Sequence, residues 1–324
     1  MWDRVASLMS TKYSIIPRKK PTFYFIGVTT GQSSSRRMFP LWMAALGQHE
    51  VVLEGVDLPI HAASEQYRQV VAQIKQDPLS LGGLVTTHKI DLLEAARDIF
   101  DELGPYAQIC DEVSSLSKRD GHLIGRATDP VAGGLSLDAI LGQNYFARTG
   151  GEILCFGAGG SAAALSLHLL NRASPGDRPR RMIVVNRSQS RLNRLRRMIE
   201  QQATDIAFEY IQNQNPTHND HLMAMLPPGS VVINATGMGK DTPGSPVSDL
   251  GHFPLHSIIW ELNYRGKLDF MHQALAQKES RHLIVEDGWK YFVHGWAQVI
   301  AHVLHLDIDQ TMFNRLADLA SRVR

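Results

Sequence analysis

Ile153-Leu154-Cys155-Phe156-Gly157-Ala158-Gly159-Gly160-Ser161-Ala162-Ala163-Ala164-Leu165 is the stretch that decides the fold of this chain. Its first four residues form a short apolar run, the pattern of a parallel strand buried on both faces. Small helix formers and leucines follow the glycines. Gly157, Gly159 and Ala162 therefore match the G-x-G-x-x-G/A spacing of a dinucleotide fold. Gly157 permits the tight turn, Gly159 lets a pyrophosphate reach the backbone, and Ala162 lets the helix pack close to the strand. Around Ala158, Gly160 and Ser161, the start of the helix presents free N–H groups and the positive end of its dipole to phosphates. A glycine turn by itself leaves the ligand open, and the next strand narrows it.

In NAD-binding folds that second strand ends in Asp or Glu, which binds the ribose 2′-hydroxyl. Here Met182-Ile183-Val184-Val185 runs into Asn186-Arg187-Ser188, with Arg191 one turn on. No carboxylate repels a 2′-phosphate, and a guanidinium beside a small hydroxyl can grip one. The pattern predicts NADP(H) rather than NAD. The missing acid also counts against a methyltransferase, whose cofactor's ribose diol takes a carboxylate there. Arg180, Arg181, Arg194, Arg196 and Arg197 share the stretch. Without aromatic stacking residues they read as a solvated face, not a nucleic-acid site.

The chain has 324 residues, which suggests two domains, and a formal net charge of +1, which provides no global field for a polyanion. Its two cysteines, Cys110 and Cys155, fall in apolar or strand-like contexts and suit a reducing cytoplasm. No apolar run is long enough for a membrane span. Residues 1–20 are polar and basic, lack a secretory core, and read as a tail or an extra edge element.

Strands are expected at 23–28, 50–56 and 81–86, with helices at 38–46, 61–76 and 90–100. A hairpin over 113–117 and 122–124 turns at Arg119-Asp120-Gly121. A helix over 129–141 opens at Asp129-Pro130. Beyond it, strands at 152–156, 181–185, 207–211, 231–236, 257–262 and 282–285 alternate with helices at 161–171 and 189–202. A long apolar helix from 289 to about 304 and a tail helix close the chain. This alternation predicts an α/β fold: an N-terminal α/β substrate domain (1–129 with 289–324) and a Rossmann-type NADP-binding domain (130–288).

Hydride exchange between a nicotinamide and an alcohol or ketone needs a group that moves the hydroxyl proton. Lys89 follows a strand in the first domain and Asp129 opens a helix before the second. Their separation in sequence does not by itself bring them together. The motifs as a set, however, resemble those of the shikimate dehydrogenase family, in order, over residues 23–305. Ser33 and Ser35 are similar to its Ser-x-Ser. Leu84-Val85-Thr86-Thr87-His88-Lys89 resembles Asn-Val-Thr-x-Pro-x-Lys, one residue shorter, and Ala127-Thr128-Asp129 resembles Asn-Thr-Asp. Gly157-Ala158-Gly159-Gly160 matches the family's glycine turn, and Asn186-Arg187-Ser188 resembles its Asn-Arg-Thr. Ile233-Asn234-Ala235-Thr236-Gly237-Met238 is similar to Ile-Asn-Ala-Thr-x-x-Gly-Met. Glu261-Leu262-Asn263-Tyr264 is similar to Asp-x-x-Tyr, and Asp287-Gly288 precedes the last long helix as in the family.

The resemblance implies NADP-dependent reduction of 3-dehydroshikimate or a close cyclic polyol carboxylate, in aromatic amino acid biosynthesis. It implies Lys89 and Asp129 as the catalytic pair, and Ser33, Ser35, Thr86, Ser114 and Tyr264 as substrate contacts. The implied cofactor contacts are Gly157, Ala158, Gly159, Gly160, Ser161, Asn186, Arg187, Ser188, Arg191, Thr236, Met238 and Gly288. A cytoplasmic monomer or homodimer is expected. Leu84, Ser114 and Gly295 stand where the family has amides that bind ring hydroxyls, which leaves quinate or a modified shikimate as alternatives. An alternative of another class is a sensor that binds NADP(H) or a shikimate-like ligand without turnover. Arg36 and Arg37 read either as a second anion contact or as a solvated pair. His88 reads as a loop residue or an assistant in proton transfer. His302, His305, Asp307 and Asp309 have ligand-like spacing but no completing residue, so no metal is expected. Trp289, Tyr291, Phe292 and Trp296 read as core.

Overall fold

The computed structural model describes residues 13–172, 174–240 and 242–324. They fall into two compact units. One comprises the chain up to Thr128 with Trp296–Arg324, the other Asp129–Gly295.

The first unit begins β1 (Thr22–Gly27), α1 (Ser35–Ala45), β2 (Val52–Asp57), α2 (Ser64–Gln76), β3 (Ser80–Val85) and α3 (Lys89–Ala96). It continues with β4 (Glu102–Leu103), α4 (Pro105–Cys110), β5 (Ser115–Arg119) and β6 (His122–Arg126). The sheet order is β2-β1-β3-β5-β6-β4. Strands β2, β1 and β3 are parallel, while β5 runs antiparallel to β3 and to β6. Every residue of β1 is buried, as its unbroken apolar run requires. Tyr24 and Ile26 pack with Val71, Ile74, Val85 and Leu92, while Phe23 and Phe25 meet Trp296. The β5–β6 hairpin closes on Asp120 and Gly121, both at positive φ, the geometry of a type I′ turn.

The second unit runs α5 (Asp129–Leu141), α6 (Tyr145–Thr149), β7 (Ile153–Phe156), α7 (Gly160–Asn171), β8 (Arg181–Asn186), α8 (Gln189–Glu200) and β9 (Ala207–Gln212). Then come α9 (Pro216–Ala224), β10 (Val231–Asn234), β11 (Ile258–Glu261), α10 (Asp269–Ala276), α11 (Lys278–Arg281) and β12 (Ile284–Glu286). Its sheet is wholly parallel in the order β12-β11-β10-β7-β8-β9. Numbered within the unit this is 6-5-4-1-2-3, the Rossmann order, with its switch point between β7 and β10. Strands β7, β10 and β11 are buried throughout. Helix α12 (Trp289–Leu304) starts in this unit and ends in the first, and α13 (Gln310–Ser321) belongs to the first. There Leu316 O accepts from the indole of Trp42 at 2.9 Å.

Several expectations need correction. The expected helix over 90–100 stops at Ala96 and tightens into a 3₁₀ turn, Arg97–Ile99. Helix α1 starts three residues early, so Ser35 is helical rather than part of a loop. The expected N-terminal tail or edge element falls partly on residues 1–12, outside the described residues. Residues 14–18 are no sheet edge but lie along α2. Gln69 exchanges two hydrogen bonds with the backbone of Ser14, Gln73 two with that of Ile16, and Asp77 accepts from Arg18 N. Among the described residues no helix is long and apolar enough to cross a membrane.

Candidate active site

The glycine turn sits at the carboxyl end of β7, beside the switch point. Gly157 has φ +113°, and a Cβ there would stand 2.6 Å from Ala235 O, so both conformation and space demand glycine. Its N–H donates to Val185 O at 2.7 Å, tying the turn to β8. Gly159 is the N-cap of α7, and a Cβ on it would meet nothing within 4 Å. That open space over the N–H groups of Gly160 and Ser161 is what an approaching pyrophosphate requires. Ala162 is fully buried, as its role in close packing demands.

Strand β8 delivers Asn186 to the same edge. Asn186 Nδ2 donates to Ser188 O at 3.2 Å, and Ser188 caps α8 by accepting from Arg191 N–H. Arg187 and Arg191 are exposed there, and Arg187 O accepts from Gln212 Nε2 at 3.2 Å. The structure thus brings Gly157–Ser161 and the residues 186–191 together at one sheet edge, without a carboxylate at the end of β8. The donor set suits a phosphorylated ribose.

The third part of this edge is a turn built from side chains. Asn234 Oδ1 accepts from Thr236 N (3.1 Å) and Thr236 Oγ1 (2.6 Å), and Thr236 Oγ1 accepts from Met238 N (3.1 Å). Asn263 Nδ2 donates to Thr236 O (3.0 Å) and Met238 O (3.3 Å). Behind both asparagines lies Glu261, 0% exposed. Its Oε2 accepts from Asn234 Nδ2 at 2.7 Å, and its Oε1 accepts from Asn263 N at 2.8 Å and Asn263 Nδ2 at 2.6 Å. Burial pushes the Glu261 carboxyl up to about 7 against these three bonds, and the Asp287 carboxylate adds to the rise. This support was missed in the sequence. The signal for it was a carboxylate, Glu261, ending an otherwise apolar strand.

Gly288 touches Asn263 through a 3.2 Å backbone bond, and a Cβ on it would collide with Leu262 O. Tyr264 packs on Trp289 and Phe292, with ring centroids 5.5 and 4.5 Å away. Tyr291 meets Trp260 at 6.3 Å and Trp296 joins the phenylalanines of β1, so the four aromatics of α12 divide among three clusters.

In the first unit the remaining residues gather at the carboxyl ends of β1 and β3. Thr86 N donates to Ile26 O at 2.9 Å, and Lys89 opens α3, its carbonyl accepting from Val113 N at 3.1 Å. Ser33 and Ser35 hydroxyls lie 2.7 Å apart at the start of α1. Arg36 extends over Gly55 of β2, and its charge helps hold Asp57 low, after the hydrogen bonds from Thr30. Ser114 does not present a free hydroxyl. Its Oγ accepts from Thr128 N at 2.8 Å and pairs with Thr128 Oγ1 at 2.9 Å. Asp129, buried at 8% exposure, is the first residue of the second unit.

His88 is 1% exposed, with Nδ1 3.0 Å from the Tyr67 hydroxyl. Tyr67 accepts from Ala62 N–H at 3.2 Å. The His88 Nε2 is buried without a hydrogen-bond partner among the described residues. His302 is no ligand candidate, since its two ring nitrogens engage Ser115 and Ser117 at 2.7 and 2.8 Å. Cys155, fully enclosed, is pushed up to about 12 by burial and is chemically inert.

A parallel sheet of Rossmann order whose glycine turn opens onto a helix N-terminus defines a dinucleotide-binding α/β protein. Within that class its sequence is similar to that of shikimate dehydrogenases. It is 28% identical over 272 residues to the shikimate dehydrogenase (NADP(+)) of Symbiobacterium thermophilum, a match spanning 83% of this chain and 84% of that protein. Solved structures share the fold. Shikimate 5-dehydrogenase from Listeria monocytogenes, in complex with shikimate and NAD, superimposes with a TM-score of 0.70 at 18% identity over 93% of this chain and 99% of that one. Quinate dehydrogenase from Corynebacterium glutamicum, in complex with NAD, does so with a TM-score of 0.69 at 17% identity over 96% and 99%. No family model matches the chain.

Proposed function

We propose that the protein is an NADP-dependent oxidoreductase that interconverts a ring hydroxyl and a ketone on a cyclic polyol carboxylate, with shikimate and 3-dehydroshikimate as the reference pair. The sequence similarity to an NADP(+) shikimate dehydrogenase over 83% of the chain carries the reading. The glycine turn and the carboxylate-free end of β8 support it from the residues. When bound, the cofactor supplies C4 of its nicotinamide as hydride acceptor. Lys89 takes the hydroxyl proton as the ring C–H hydride leaves, and gives it back in the reverse direction. Asp129 orients the lysine and the hydroxyl. Ser33 and Ser35 hold the substrate carboxylate, while Thr86 and Tyr264 contact the ring. Gly157, Ala158, Gly159, Gly160 and Ser161 hold the pyrophosphate, and Asn186, Arg187, Ser188 and Arg191 hold the 2′-phosphate. Thr236, Met238 and Gly288 line the nicotinamide end. We read residues 1–129 with 289–324 as the substrate domain and 130–288 as the cofactor domain. The protein acts in the cytoplasm, in aromatic amino acid biosynthesis, as a monomer or homodimer.

A second substrate reading has its own observation. Ser114 spends its hydroxyl on Thr128, and Leu84 and Gly295 carry no amide. A ring hydroxyl buried against such positions loses about 1–3 kcal/mol each. Quinate or a modified shikimate therefore competes with shikimate. The test is reduction of NADP⁺, followed by the absorbance of reduced nicotinamide, over a panel of shikimate, quinate and related acids. Lys89→Ala should lower kcat by roughly 10²–10⁴-fold on the best acid. Full activity in that variant would overturn the assignment of Lys89. NADPH binding without turnover of any acid would favour a sensor.

A further inference from the structure

Resting on the cofactor site just described, we infer that Glu261 is a positioning residue for the nicotinamide end. It grips Asn234 and Asn263 together and thereby fixes the turn that carries Thr236 and Met238. Both asparagines hold the backbone of that turn from its flanks, and Glu261 contacts both. Asn234 is used at both ends of its amide: it gives its N–H to Glu261 and its carbonyl oxygen to Thr236. Asn263 gives N–H groups to Glu261, Thr236 O and Met238 O. Neither amide can be flipped without setting an oxygen against an oxygen, or a donor against a donor.

The ionised carboxylate is acceptor-only and meets three N–H donors, so it is the form that fits the turn. A protonated Glu261 would direct an O–H at a donor. Burial opposes the ionised form, and the facing charge, Asp287 before α12, opposes it further. The turn is thus held by a carboxylate whose surroundings bring its titration close to neutral pH. Cofactor affinity should fall as pH is lowered through about 7.

The experiment measures the Kd of NADPH by its fluorescence across neutral pH for the full chain and three variants. Glu261→Gln puts an N–H against Asn234 Nδ2. It should weaken NADPH roughly tenfold or more at high pH and remove the part of the pH dependence that Glu261 causes. Comparison with the wild type cancels the titration of the 2′-phosphate itself. Glu261→Gln combined with Asn234→Asp restores the pairing between the two side chains with the charge moved to the other partner: the introduced amide then donates to the introduced carboxylate, and only the long 3.5 Å bond from Asn234 Nδ2 to Met238 O is lost. This swap should recover most of the affinity. Asn263→Ala, which leaves Glu261 in place but releases Thr236 O and Met238 O, should weaken NADPH to a similar extent, and it carries the test should Glu261→Gln fail to fold. Wild-type affinity in Asn263→Ala, or wild-type affinity and pH profile in Glu261→Gln, would overturn the inference. A wild-type chain that does not bind NADPH would instead overturn the reading of the cofactor site.

Discussion

Glu261 is also where function and stability pull apart. Its folded-state carboxyl stands near 7 against an ordinary 4.5. The native chain therefore holds a proton on Glu261 that the unfolded chain releases between those values, and this carboxyl's contribution to stability falls with rising pH across that window. The contribution is fully present below the unfolded value and lost as pH passes the folded one. At 1.36 kcal/mol per unit the swing is ~3 kcal/mol. His294, in the same unit and held down to about 4 by burial, adds stability as pH rises over much of that window. The readout is therefore a difference: in urea titrations from acid to neutral pH, the midpoint of the wild type relative to that of Glu261→Gln should drop. A difference between wild type and Glu261→Gln that stayed flat through the window would show the group to be ionised cheaply in the fold. His88 poses a different balance, because its ring is held at Nδ1 by the Tyr67 hydroxyl while its buried Nε2 has no hydrogen-bond partner among the described residues. Lys89, the residue after it, begins α3 from that constrained turn, in which Thr87 takes a positive φ.

At the scale of elements, the clamp between α2 and residues 14–18 follows from two matching repeats. Two residues of extended chain advance at most ~7 Å, and four residues of helix rise ~6 Å. Gln69, Gln73 and Asp77 can therefore meet Ser14, Ile16 and Arg18 in turn. Replacing Gln69 and Gln73 with Ala removes four hydrogen bonds. This should release the segment at a cost of roughly 1–3 kcal/mol, less where water replaces the exposed pair. Faster limited proteolysis ahead of β1, with the glycine turn still competent for NADPH, is the expected readout. None of this was visible in the sequence, because a glutamine that pairs with remote backbone has no periodic signature. What was legible had local causes. The apolar runs gave β1, β7 and β10, Asp120-Gly121 gave the hairpin, and Asp129-Pro130 gave the start of α5 at its observed residue. Helix α9 was missed because its sequence, Pro216 to Ala224, is polar, and only Asn215 before Pro216 marks its start. In the site, the glycine turn was readable because its causes are local: Gly157 takes a positive φ that only glycine adopts readily, and Gly159 leaves the start of the helix uncovered. The asparagine–glutamate support was not, since it joins strand ends 27 residues apart.

For the whole molecule the question is what separates this chain from neighbours of the same fold that were crystallised with NAD. A shared fold does not decide between the cofactors, because both present a pyrophosphate to the same glycine turn. The difference must lie in groups that touch only the 2′-phosphate, and the proposed ones here are exposed arginines at the end of β8 and the start of α8. Exposure limits their worth: at ordinary salt the Debye length is about 10 Å, and a solvated pair contributes roughly 1 kcal/mol or less. Arg187→Ala with Arg191→Ala should therefore weaken NADPH by up to roughly thirtyfold and leave NADH unchanged. The same pair should show up in global stability. A ligand at about a hundred times its Kd stabilises the folded chain by ~2.7 kcal/mol, so at one fixed concentration NADPH should raise the wild-type melting temperature more than NADH does. In the double variant the two shifts should converge, and raising salt should draw them together in the wild type as well. An NADH shift larger than that of NADPH in the wild type would overturn the reading of Asn186-Arg187-Ser188 while leaving the glycine turn, Lys89 and the hydride chemistry as they stand.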